Sequence, residues 1–83
     1  MTVKIVLLKT GQYLISEIEE RPDEDTDCIL INPKVVTGFV PDFTLVNFVP
    51  YSYQKQIPIR STDIITITEP MDSLLQLYRD ATA

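Results

Sequence analysis

Between residues 3 and 68 the chain is cut into short apolar runs by turn residues, and no interval is long enough for a crossover helix. Parallel strands need a connection of a dozen or more residues, whereas antiparallel strands join through tight turns. The cutting therefore argues for a small antiparallel barrel. Residues 3–9 alternate, with Val3, Ile5 and Leu7 on one side and Lys4, Val6 and Leu8 on the other. Both sides are largely apolar, so cover is expected on both. Thr10-Gly11 is a turn signal, because glycine takes a positive φ at little cost. Residues 13–19 alternate again, Leu14, Ser16 and Ile18 against Tyr13, Ile15, Glu17 and Glu19. The two runs predict a hairpin.

Residues 28–31 form a third run, closed by Asn32-Pro33. Strand character resumes over 35–40 across Gly38, where a bulge or bend is expected. Pro41-Asp42 reads as a turn, 44–49 as a strand stopped by Pro50, and 51–56 as a loop. An apolar segment over 57–60 then meets a polar corner at Ser61-Thr62-Asp63, followed by β-branched residues to Thr68, which suit a half-buried strand. After that the period changes. Met71, Leu74, Leu75 and Tyr78 fall on one helical face. The spacing predicts a helix over 70–81, with Thr68 or Glu69 as its cap, Pro70 in its first turn and Asp72 complementing the positive end of the dipole. One domain over 1–83 follows, with the barrel over about 2–68.

A chain of 83 residues is marginal alone, since small folds bury a smaller share of their surface. Such scaffolds rely on disulfides, metals or oligomerisation. Cys28 is the only cysteine, which removes an internal disulfide and favours a reducing compartment. Histidine, the commonest zinc ligand and general base, is absent. Oligomerisation is left. No apolar run approaches a membrane span, and the first residues lack a secretory pattern, so a cytoplasmic protein is expected. The net charge of −5 is local: the stretch from Glu17 to Asp27 carries −6 and the rest of the chain +1. Membrane and DNA partners are therefore not expected.

Two stretches carry a resemblance. Residues 4–18, with Leu-Lys-Thr-Gly before the second strand, resemble the opening hairpin of the Sm-like (LSm) family. Ile59-Arg60-Ser61-Thr62-Asp63-Ile64 resembles the second Sm motif, with Ser61 where the family has glycine. The resemblance is closer to the small uncharacterised Sm-like proteins of marine bacterial viruses than to the spliceosomal members. The resemblance implies a mainly β fold, a five-stranded, strongly bent Sm-like (SH3-like) barrel that assembles into rings, here with a helix at the end of the chain rather than the start. It also implies pairing of the fourth strand of one subunit with the fifth of the next. Val46 and Phe48, and Ile65 and Ile67, would supply that interface. In RNA-binding members an asparagine before the third strand reads the base, while the arginine of the second motif stacks on it. Those positions fall near Asp27 and on Arg60.

Tyr51 and Tyr53 form a possible stacking platform for single-stranded nucleic acid. The bland readings are an Arg60 that closes the strand corner through carbonyls or Asp63, and tyrosines that pack at a strand end. Asp23, Glu24, Asp25 and Asp27 have the oxygens a hard cation wants, but no EF-hand glycine or distal glutamate follows, so no metal is expected. Cys28 reads as a small core residue. No acid–base pair is singled out, so neither enzymatic activity nor a cofactor is expected. The expected function is a ring-forming structural or interaction protein. The alternative is an Sm-type ring that binds uridine-rich RNA, disfavoured by the acidic stretch.

Overall fold

The computed structural model describes residues 2–20, 27–39 and 42–83. Among these residues the chain forms β1 Thr2–Leu8, β2 Tyr13–Glu20, β3 Asp27–Phe39, β4 Asp42–Asn47, β5 Gln56–Arg60 and β6 Ile64–Thr68, with a 3-10 turn Ser61–Asp63 before β6 and a closing helix α1 Asp72–Thr82. The strands make one antiparallel sheet in the order β4-β3-β2-β1-β6, and β5 also pairs with β3.

The expected antiparallel, mainly β fold is present, but with six strands in place of five, in a sheet that among the described residues is open between β6 and the β4–β5 edge. Two local features cause the difference. First, Asn32-Pro33 does not end the third strand, which runs on for 13 residues. Second, β4 pairs with residues 34–39 of β3 and β5 with residues 27–31, so one edge of β3 has two partners. The bulge expected at Gly38 lies elsewhere, because Gly38 keeps register with Phe43. Its φ of +85° and the Asp42 carbonyl, which would overlap any Cβ there, are what require glycine. The turn expected at Pro41-Asp42 and most of the 20–27 loop lie outside the described residues.

Alternation along β1 and β2 divides the apolar side chains between two faces. Val6, Leu8, Leu14, Ile18 and Leu30 fill the inside of the curved sheet, with Phe48, Ile57, Ile59 and Ile64 packed against them. Val3, Ile5 and Ile15 point to the other face, where Leu74 and Tyr78 of α1 cover them. β1 is thus sandwiched, as its two apolar faces require. The helix starts later than expected: Met71 is its N-cap, without a side-chain cap bond, and Pro70 precedes it. Leu74 and Tyr78 carry the buried face, while Leu75 is half-buried and Met71 exposed. An ion pair between Lys4 and Glu69 ties β1 to the segment leading into the helix.

Candidate functional site

The organising irregularity is a two-against-one bulge. Ile15 pairs with Lys34 and Glu17 with Ile31, so Ser16 alone faces Asn32 and Pro33. Asn32 takes a φ of +53°, a left-handed conformation that asparagine tolerates, and proline offers no N–H to the ladder. Backbone groups freed by the bulge find partners on both sides. On the helix side, the buried Ser16 hydroxyl lies 3.0 Å from the Ile31 carbonyl. The Tyr78 hydroxyl lies 3.0 Å from the Ile31 and Asn32 carbonyls, to which it donates, and accepts from the Glu17 N–H at 3.3 Å. Burial pushes the Tyr78 phenol above its ordinary pKa of 10.0; the Glu17 carboxylate adds to that rise, and the hydrogen bond from the Glu17 backbone opposes it. Among the described residues no buried side-chain N or O lacks a partner.

On the other side the same bulge anchors a loop. The Asn32 N–H donates to the Lys55 carbonyl at 2.8 Å, and the Phe48 N–H donates to the Pro33 carbonyl at 3.3 Å. Residues 48–55 therefore leave β4 and rejoin β5 at adjacent points of β3. Within the loop the Ser52 N–H bonds the Val49 carbonyl at 3.3 Å, and the Gln54 N–H bonds the Ser52 hydroxyl at 3.0 Å. Compact loops with joined ends of this kind are often functional. Tyr51 and Tyr53 stand fully exposed at its tip.

Two clefts flank the loop and share Phe48 and Ile57 as a wall. The smaller, about 180 Å³, lies between the loop and the bulge and takes Lys34, Asn47, Tyr53, Gln54 and Lys55 into its lining. Lys34 and Asn47 are opposed in register, and the Lys34 ammonium donates to the Asn47 side-chain oxygen. The larger, about 450 Å³, runs from the β1–β2 turn to the 61–63 corner, with Leu8, Ile57 and Ile59 as apolar lining and Lys9, Arg60 and Asp63 as charged lining. Four of the seven cations of the chain line these two clefts, against one carboxylate.

The sequence-predicted residues fall into three places. Arg60 ends β5, exposed, directly opposite Asp27 in the ladder, so the two candidate RNA contacts are brought together. The corner beyond it is closed by backbone: the Ile64 N–H bonds the Ser61 carbonyl, and the Lys9 N–H bonds the Asp63 carbonyl at 2.9 Å. Tyr51 and Tyr53 lie on the loop, apart from that pair in the fold. Of the interface candidates, Val46, Ile65 and Ile67 are exposed on the outer strands, while Phe48 turns inward against the core. Cys28 is half-buried opposite Ile59. Among the described residues no group of three or more Cys, Asp or Glu side chains could hold a metal ion, and no helix is long and apolar enough to cross a membrane. The sequence reading missed Lys9, Lys34, Asn47, Gln54 and Lys55. The polar run after Pro50 marked a loop, but nothing local signalled that it folds back over Asn32-Pro33.

Fold and clefts define a small antiparallel β protein with a helix over one face and a built loop on one edge. A family model matches residues 1–83, and the chain belongs to that family, a family of unknown function (DUF6561). No curated protein matches it.

Proposed function

We propose that the protein is a structural subunit that joins copies of itself edge to edge into a ring resembling those of Sm-like proteins. The observation that carries this reading is the pair of outer edges. Among the described residues β6 pairs on one side with β1, and the β4–β5 edge pairs only with β3, so both ends of the sheet offer unpaired backbone. Exposed edges are sites for pairing with another chain unless something blunts them. Here Ile65 is 59% exposed, Val46 49% and Ile67 37%, and 64–68 holds no charged side chain. Strand count supports the same reading: β4 and β5 lie along one edge of β3, as one bent strand interrupted by residues 48–55, and the 61–63 corner leads into the last strand. Counting β4 and β5 as one strand gives the five that the Sm-like reading expects. A head-to-tail edge contact closes into a ring when its rotation allows.

Proline substitution tests the edge. N–H groups alternate in direction along a strand, so of Ile65→Pro and Thr66→Pro one removes an outward donor and the other an inward one. In light scattering on a sizing column the outward variant is expected to fall to a smaller, folded species. Oligomers of wild-type size from both variants would contradict edge pairing.

A second reading, an RNA-binding ring, is favoured by the register that sets Arg60 opposite Asp27. It predicts oligouridine binding at low salt that weakens steeply as salt rises and is lost in Arg60→Ala. The −6 carried by the sequence from Glu17 to Asp27 favours the assembly role, for which no tight binding at physiological salt is expected.

A further inference from the structure

The loop over 48–55 interrupts the very edge that would otherwise pair along its whole length with β3. It is nevertheless a built element, bonded at both ends to Asn32 and Pro33 and cross-bonded inside. What it creates is the smaller cleft. In a chain with twelve carboxylates, this lining has none; its polar groups are two lysines, side-chain amides, a serine and a tyrosine. Lys34 is held by Asn47 through one of its three N–H groups, leaving two donors for a ligand. Lysine binds phosphate as a point charge. Tyr53, fully exposed, offers a ring face, and aromatic faces stack on nucleobases whatever their identity. Asn47 Oδ1 accepts from Lys34 and Gln54 Nε2 donates to the Gln56 carbonyl, so the Asn47 amide N–H groups and the Gln54 side-chain oxygen are the donor and acceptor left for a base edge. A cleft of about 180 Å³ has room for the phosphate and part of the sugar and not for a folded partner, which leaves the base outside it, on the exposed Tyr53.

We propose that the recess beneath the 48–55 loop binds a nucleoside phosphate, its phosphate paired with Lys34 and Lys55 and its base lying on Tyr53. The unit could come from a free nucleotide or from the phosphorylated end of a strand. The site stands whether or not copies pair through their edges, and it is separate from the Arg60–Asp27 corner.

Titration followed by backbone amide NMR tests it. The ligands are uridine and adenosine 5′-monophosphate, the matching nucleosides, inorganic phosphate, and a short oligonucleotide with and without a 5′-phosphate. Shifts are expected at residues 32–34, 47 and 52–55, with either nucleotide binding about tenfold tighter than its nucleoside or inorganic phosphate. Lys55→Glu, on an exposed side chain, is expected to weaken the nucleotide about tenfold. Tyr53→Ser should erase the advantage of nucleotide over inorganic phosphate, and Arg60→Ala should change neither. A phosphorylated oligonucleotide that binds tighter than the mononucleotide places the source at a strand end; equal or weaker binding places it with free nucleotides. Inorganic phosphate binding as tightly as the nucleotides would overturn the proposal. So would an absence of shifts at millimolar ligand, or shifts centred on Arg60.

Discussion

The two sides of the bulge solve the same problem differently. On the helix side, Ser16 and Tyr78 reach in and satisfy the freed backbone with side chains that are themselves buried, Tyr78 being only 1% exposed. On the edge side, the freed groups of Asn32 and Pro33 are bonded by a loop that turns its aromatic residues outward. A polar group withdrawn from water must be paired, whichever side supplies the partner. The difference is in what is left over. The helix side leaves Met71 and Leu77 exposed and a cleft of about 480 Å³ beside α1, lined by both charge signs, whereas the edge side shows two fully exposed tyrosines and two clefts that hold four of the seven cations. The first region is explained by stability alone, and the proposed recognition falls on the second.

If that division holds, the largest losses come from the helix. Tyr78→Ala removes a buried ring and its hydrogen bonds together and is expected to cost about 3–5 kcal/mol, enough to unfold so small a domain. Leu74→Ala should follow at about 2–5 kcal/mol, Leu75→Ala should cost less, and Gln76→Ala, exposed, should stay within about 0.5 kcal/mol. Thermal melts with the four variants side by side read this order. A Leu75→Ala loss equal to that of Leu74→Ala would move the buried face of α1.

Tyr78→Phe keeps the ring and strands the Glu17 N–H and the Ile31 and Asn32 carbonyls, for about 1–3 kcal/mol in denaturant unfolding. The same phenol sets an alkaline limit. Its folded pKa is raised above 10.0, so the folded state holds the proton more tightly than the unfolded chain. The stability this contributes is fully present below pH 10 and is lost as pH rises through the folded pKa. Unfolding measured between pH 8 and pH 11 should show that loss in the wild type and a flatter profile in Tyr78→Phe. Gly38→Ala acts on the edge side, where φ is +85° and the Asp42 carbonyl crowds the position; a loss of about 1–3 kcal/mol is expected. At the far end of the scale, Tyr51→Ser and Tyr53→Ser should leave stability within about 0.5 kcal/mol, since neither ring is covered. A clear drop in melting temperature from either would mean that the loop tip is structural after all.

The hairpin was legible because Thr10-Gly11 separates two clean alternations, and the helix because Met71, Leu74, Leu75 and Tyr78 share a face. Its start lies two residues later than expected, since Pro70 suits a first turn as well as the position before it. The continuous β3 was not legible. Asn32-Pro33 has the composition of a strand end, and only Ser16 opposite it, together with Tyr78 more than forty residues away, turns it into a bulge. That is a tertiary fact without a local signature. Arg60 and the two tyrosines could be picked out by residue type. The lysines could not, because what distinguishes Lys34 and Lys55 from other surface lysines is the loop fold that brings Lys55 into the same recess as Lys34.

The claim that the open edge is an assembly surface is tested most directly by the native mass of the wild-type protein. Sedimentation at micromolar concentration is predicted to give one species at an integer multiple of 9.5 kDa, unchanged over a tenfold dilution. A monomer of 9.5 kDa under those conditions would contradict it.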